Sequence, residues 1–237
     1  MRTFVIAEMG SCHNNDLKTA RLLCDAAKEC GADAVKAQFW SSSKALAERR
    51  KIPQAEPIYA KYKLPQGWLQ LLSEYCQHIK IEFMCSTFLI EDIAKVAPYV
   101  SRFKISAYES EWEEFVNAHW MYGREVICSV NPGRWFHGNY YPKLLHCVSK
   151  YPTPDGEIGL GRISEYQLDG LSDHTTSIIS GALAVQHGAT IIEKHFKLSG
   201  LSEQNPDYPH SLVGDTDNPE FSFKRYVDLI RQSEAML

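Results

Sequence analysis

Two short apolar runs in this 237-residue chain each end in a histidine, at Ser172-Asp173-His174 and at Glu193-Lys194-His195. Between them Ile178, Ile179, Ala182, Leu183 and Val185 recur at helical spacing, and the run stops at His187-Gly188. Strand, helix and strand of these lengths make a βαβ unit, whose strands run parallel. Parallel neighbours lie about 4.8 Å apart, so imidazoles at matching heights can share one ion. His174 and His195 are therefore a candidate metal pair. The alternative is two strand-end histidines hydrogen-bonded to backbone, since their separation carries no motif by itself.

The same pattern recurs along the chain. Polar residues stand at or near the ends of successive apolar runs: Glu8, Lys36 with Gln38, Ser86-Thr87, Lys104 with Ser106, Glu109, Ser129, Ser149, and Ser172 with His174. Residues two apart on a strand share a face, so Lys36 and Gln38 point one way, as do Ser172 and His174. Burying one unpaired lysine costs several kcal/mol. Two lysines, several hydroxyls and two histidines converging on one rim suit an anion and metal site. A structural ion pair such as Lys36 with Glu8 explains one position but not the ring.

The elements that must position these residues alternate. Strands are expected over 3–9, 34–39, 81–87, 103–107, 125–130 and 143–148, and in the two runs that close at His174 and His195. Helices are expected from Asp16, a reasonable N-cap, to Gly31, and over 65–79, 91–100, 112–122, 163–166 and 220–235. Residues 41–62 are charged, proline-bearing and aperiodic, and read as a long loop. Only residues 131–141 separate the fifth and sixth strands, and with Pro132, Gly133 and Gly138 they are too few for a crossover helix. Eight strands in this length predict one (β/α)8 barrel domain over 1–237, with its site at the C-terminal ends of the strands. An open doubly wound sheet is the alternative, because alternation alone does not distinguish closure.

Composition excludes several classes. The net charge is -4, and no basic cluster exceeds Arg49-Arg50-Lys51, so nucleic acid is not an expected partner. No apolar run approaches the roughly 18 residues that span a membrane. The N-terminus alternates like a strand and carries Glu8 early, unlike a signal peptide. Seven cysteines without a CxxC pair suggest reduced, mostly buried thiols and a cytoplasmic protein.

The segments IAEMGSCHNNDLKTARLLCDAAKECGADAVKAQ, LLHCVSKYPTP, GLSDHT and GATIIEKHF resemble the catalytic barrel of the sialic acid (nonulosonate) synthase family, over residues 3–211. The resemblance implies condensation of phosphoenolpyruvate with an aldose, commonly an N-acetylhexosamine, release of phosphate, and a divalent ion such as manganese or magnesium. It implies that His174 and His195 bind the metal, that Lys36, Thr87, Lys104, Ser129 and Ser172 hold phosphoenolpyruvate, and that Glu8, Gln38, Tyr151 and Asp207 contact the sugar. Glu109 matches the carboxylate beside the reacting carbons, which makes Glu109, Glu8 and Lys104 the catalytic candidates.

The departures are specific. Ala107 takes the place of a usual serine, leaving Ser106 as the nearest hydroxyl. Val130-Asn131-Pro132 replaces Thr-Gly-Met, Ser149 stands where asparagine or threonine is common, and a late PDH reads Pro206-Asp207-Tyr208. Arg134, Trp135, Phe136, His137, Tyr140 and Tyr141 replace the family helix, either shaping the mouth or plugging bare barrel surface. The sequence ends at Leu237, where the family continues into an antifreeze-like domain that covers a partner's barrel and supplies an arginine. The expectation is therefore a homodimer or a separate cap protein, or a changed acceptor, with a changed acceptor favoured. A barrel that binds metal, anions or a partner without turnover is the alternative function.

Overall fold

The structure is a computed structural model that describes residues 2–133 and 141–237. Eight parallel strands follow one another in chain order: β1 (Phe4–Glu8), β2 (Ala34–Phe39), β3 (Glu82–Thr87), β4 (Arg102–Ile105), β5 (Glu125–Val130), β6 (Lys143–Cys147), β7 (Gly170–Asp173) and β8 (Ile191–Lys197). β1 also pairs with β8, which closes the ring and decides for the barrel over the open sheet. A short β9 (Leu212–Val213) adds to the end of β8 through Phe196↔Leu212. It returns the chain across the mouth after residues 198–211.

The helices around the barrel are α1 (Leu17–Glu29), α2 (Ser43–Arg49), α3 (Glu56–Lys61), α4 (Trp68–Ile79), α5 (Ile90–Val96), α6 (Glu113–Trp120), α7 (Gly161–Glu165), α8 (Ser180–Gln186) and α9 (Phe223–Glu234). Asp16 caps α1 by accepting from the backbone of Lys18 and Thr19, and Ala20, Leu23, Cys24 and Ala27 form its buried stripe. The long loop expected over 41–62 instead contains α2 and α3. Ser42 caps α2 through the Ala45 amide, and Leu46 packs with Trp40 and Phe88. Among the described residues no helix stands between β5 and β6. Arg134, Trp135, Phe136, His137 and Tyr140 lie outside the described residues, and Tyr141 is exposed.

Strand alternation divides the side chains into an interior and an outer layer. Ile6, Ala34, Met84, Ile127, Leu145 and Ile191 form the apolar floor inside the barrel. Gly170 lies in register with Ile191, and a Cβ there would fall 1.7 Å from the Ile191 carbonyl oxygen, so only glycine fits this contact. The outer layer, including Val5, Val35, Phe103, Val126 and Ile192, packs against the helices. No helix among the described residues is long and apolar enough to cross a membrane, and all seven cysteines are free and buried.

Candidate active site

One step above the floor, the inward side chain is polar on seven strands, Glu8, Lys36, Ser86, Lys104, Ser129, Ser172 and Glu193, and a thiol, Cys147, on β6. All eight line a cavity of about 540 Å³ at the C-terminal ends of the strands. One step higher, Gln38, Ser106, Ser149, His174 and His195 line its wall, with Tyr151 and Asp207 from the loops above. The β7–β8 register pairs Asp173 with Lys194, so the next residues, His174 and His195, stand level, their ring centroids 5.6 Å apart.

Glu193 is the hub of the lower ring. Its Oε1 lies 3.5 Å from the Lys104 ammonium and accepts from Ser172 Oγ at 3.0 Å, while its Oε2 lies 3.6 Å from Lys36. Lys104 donates to Ser129 Oγ at 2.7 Å and Lys36 to Ser86 Oγ at 2.9 Å. Burial alone would raise the Glu193 carboxyl, but Lys104 and Lys36 overcome it and bring it down to about 2. Glu8 also pairs with Lys36 and accepts from the Gly10 amide at 2.8 Å and Gln38 Nε2 at 3.0 Å.

Burial pushes the Glu8 carboxyl up to about 7, with Lys36 opposing and the charges of Glu193 and Asp207 adding to the rise. The folded chain therefore holds a proton that the unfolded chain releases near pH 4.5. Such a group stabilises the fold most below pH 4.5, and that contribution is lost as the pH rises through about 7. The stability difference between wild type and Glu8→Gln should fall by a few kcal/mol from pH 4.5 to 8 in urea unfolding, about 1.4 kcal/mol per pH unit at its steepest. A pH-independent difference would show that Glu8 titrates normally.

Arg50, in the segment read as a loop, caps the C-terminus of α2 and lines the cavity. Its Nε and Nη2 donate to the two Glu109 carboxylate oxygens, each at 2.9 Å, and its guanidinium lies over the Phe88 ring at 4.9 Å. Glu109 is fully buried, also accepts from Ser106 Oγ, and does not line the cavity. The expected acid/base at the reacting carbons is thus turned behind the wall, where it orients Arg50. Thr87 is likewise displaced from the site. It is one residue past the inward Ser86, so it faces outward, and its Oγ1 meets His119 Nε2 of α6 at 2.8 Å. Ser86 stands on the inner face in its stead.

At the rim, His174 Nδ1 is held by the Val148 carbonyl at 3.0 Å, which leaves Nε2 free to ligate. Burial holds the His174 imidazole neutral, down at about 4, and pushes His195 well below its usual range. Asp207 Oδ1 lies 3.5 Å from His195 Nδ1 and 3.2 Å from His210 Nε2. Its Oδ2 accepts from the Ser11 amide at 2.6 Å, with the Ser11 hydroxyl at the same distance. Gly10 permits this approach: its φ is +46°, and a Cβ would fall 2.3 Å from Asp207 Oδ2. His195 Nδ1 and both His210 ring nitrogens are buried without a hydrogen-bond partner. Neutral imidazoles with buried, unused lone pairs beside a carboxylate are the donor set a divalent cation requires, so these residues fit a metal. Glu193, Arg50 and His210 were not expected at the site from sequence, and of the pair Ser86-Thr87 the expectation fell on Thr87; for Glu193, inward parity with His195 was the available signal.

The family profile described as "NeuB family" matches residues 23–133 and 136–237. The chain is 33% identical to an N,N'-diacetyllegionaminic acid synthase of Legionella pneumophila, covering 100% of this chain and 74% of that protein. It is 30% identical to a pseudaminic acid synthase of Campylobacter jejuni, over 100% of this chain and 75% of the other. A crystal structure of N-acetylneuraminic acid synthetase from Leptospira borgpetersenii, in complex with citrate, superposes with a TM-score of 0.87 at 25% identity, covering 100% of this chain and 85% of that one. With its closed barrel and the polar ring inside it, the chain belongs to the NeuB family.

Proposed function

We propose that the chain is a carbon–carbon bond-forming synthase that condenses phosphoenolpyruvate with an aldose, giving a 3-deoxy-2-keto sugar acid and phosphate. One observation carries the reading. Lys36 and Lys104, both buried, share Glu193 and are each hydrogen-bonded to a serine hydroxyl within one cavity. Such a cradle suits a small multivalent anion, because fixed donors lose little freedom on binding.

Lys104 with Ser129 and Lys36 with Ser86 would receive the carboxylate and phosphate, with Ser172 between them. Glu109 occupies the Nε–Nη2 fork of Arg50, which lines the same cavity and would add positive charge to the anion site through its Nη1 end. Glu8 and Gln38 face the acceptor hydroxyls, and Tyr151 closes the side next to His174, its ring 4.1 Å away. His174 and His195 would hold a divalent ion, manganese or magnesium, which when bound supplies Lewis acidity at the acceptor aldehyde. The new bond joins phosphoenolpyruvate C3 to the aldehyde carbon, and the aldehyde oxygen gains a proton. The C2=C3 pair supplies that bond and leaves C2 cationic; water adds there and loses a proton. The remaining C2 hydroxyl becomes the ketone as the C2–O bond breaks and phosphate leaves with the bonding pair and the hydroxyl proton. The Glu8 carboxyl, titrating near 7, is suited to exchange one of these protons.

Charge balance supports the metal. Lys36, Lys104 and Arg50 are paired with the carboxylates of Glu8, Glu193 and Glu109, and Asp207 adds a fourth carboxylate beside His195, so these described groups offer no surplus of positive charge. A multivalent anion then needs further compensation, from a divalent ion or a proton on Glu8.

Phosphate release from phosphoenolpyruvate with Mn2+ and a panel of aldoses, with product masses measured, tests the function. Aldose-dependent release is expected, and its absence across the panel would overturn the reading. Lys104→Met should weaken phosphoenolpyruvate binding about 10- to 100-fold in calorimetry, since charge-assisted hydrogen bonds contribute about 1.5–3 kcal/mol each. Unchanged affinity would remove Lys104 from the anion site.

A further inference from the structure

We infer that His210 is a third imidazole ligand of the metal centre, with Asp207 as its carboxylate, so that this site prefers a borderline metal such as zinc or cobalt over magnesium. The inference rests on the metal reading above and adds residues and selectivity to it.

Ligands about 2.1 Å from one ion stand about 3.0 Å apart at octahedral angles and about 3.4 Å apart at tetrahedral ones. His210 Nε2 and His195 Nδ1 lie 3.2 and 3.5 Å from the same Asp207 oxygen, which is the spacing of neighbours in one coordination sphere. Candidate ligand atoms of His195, Asp207 and His210 all lie within 4.8 Å of one another. The histidine rings stack edge-on with centroids 4.5 Å apart.

The site is also built to hold these groups without being satisfied by them. His210 is 2% exposed, and neither of its ring nitrogens has a hydrogen-bond partner, an arrangement that costs about 1–3 kcal/mol per buried group. The Asp207 carboxylate, 3.2 Å from Nε2, offsets part of that cost, and Nδ1 is left without a hydrogen-bond partner. Asp207 is fixed from behind by Ser11, and Asn205 donates to the Ser11 carbonyl at 3.0 Å, as the supports of a ligating carboxylate would be. β9 clamps the segment onto β8 two residues after His210.

His195, His210 and Asp207 form one group of candidate ligands, and His174 adds a further imidazole from outside it. A nitrogen-rich set of this kind is of zinc or cobalt type, whereas magnesium keeps oxygen ligands and water. Asp207, expected at the sugar, thereby acquires a role at the ion.

Metal-free full-length chain titrated with Co2+, Zn2+ and Mg2+ in a calorimeter is the first measurement. Wild type should bind Co2+ and Zn2+ at least about 100-fold more tightly than Mg2+. His210→Ala should lose at least about 100-fold in Co2+ affinity, more than an outer-shell partner would account for, with a changed Co2+ absorption spectrum. Anomalous diffraction from Zn2+-soaked wild-type crystals is the second, independent of the variant's folding. A His210 ring nitrogen about 2.0–2.1 Å from the ion is expected. An ion held by His174 and His195 with His210 beyond ligand distance would overturn this inference and leave the two-histidine reading standing. Undiminished Co2+ binding by His174→Ala and His195→Ala would overturn both.

Discussion

Replacing His195 with alanine should abolish tight divalent-ion binding and lower turnover by more than about 100-fold, since even outer-shell partners of metal ligands are worth 10- to 100-fold. The fold should survive. His195 Nδ1 is buried without a partner, so its removal takes away an unsatisfied polar atom. The space it leaves opens onto the cavity, where water can enter. His174→Ala should behave alike, because the backbone carbonyl of Val148 commits Nδ1 and presents Nε2 to the same space. Calorimetric titration with Mn2+, phosphate release and thermal unfolding together check the outcome. A His195→Ala variant with turnover within about 10-fold of wild type would show that the rim imidazoles are structural.

The parts of this architecture that were legible in sequence are those governed by local periods. The alternation of apolar runs specified eight parallel strands, while closure is decided by the β1–β8 pairing, and parity within each strand placed Lys36 with Gln38 and Ser172 with His174 in one cavity. The same rule puts Glu193 on the inner face with His195, and Ser86 there instead of Thr87. Ser86-Thr87 gave no polarity contrast by which to choose, although Met84 in the floor decides the parity once the register is known. Arg50 was hidden because α2 and α3 are each less than two turns long, too short for a helical period to emerge from a charged stretch. Glu109 follows a strand and looks cavity-facing, yet the 3-10 turn at Glu109–Glu111 directs it under Arg50. Asp207 and His210 reach the site through contacts such as that of Ser11 with Asp207, far apart in the chain, which no local pattern encodes.

The residues immediately before the two rim histidines carry a different load, and the largest stability effect is expected there. Asp173 and Lys194 precede His174 and His195, so alternation turns them out of the barrel, toward α8 and α9. Both are fully buried and 3.0 Å apart. Asp173 Oδ2 also accepts from Tyr226 Oη at 2.9 Å and Ser180 Oγ at 2.5 Å, and Oδ1 from the Thr175 amide at 2.9 Å. Burial would raise this carboxyl, but Lys194, Ser180 and Thr175 together hold it below its usual 3.8. Its contribution to stability is therefore complete above pH 3.8 and is lost on acidification below it. Asp173→Ala leaves the Lys194 ammonium without its counter-charge, held only by the Thr175 carbonyl and hydroxyl, and removes the acceptor of Tyr226, which should cost about 3–5 kcal/mol. In a chain of this size that is a fall in melting temperature on the order of 10 °C. The double variant Asp173→Ala/Lys194→Met should recover much of the loss, because an apolar side chain replaces the stranded charge. Urea unfolding of the four proteins of this cycle measures the coupling. A loss below about 1 kcal/mol in Asp173→Ala, or additive single and double effects, would mean that Lys194 finds another partner and that the pair does not anchor α8 and α9 to the barrel.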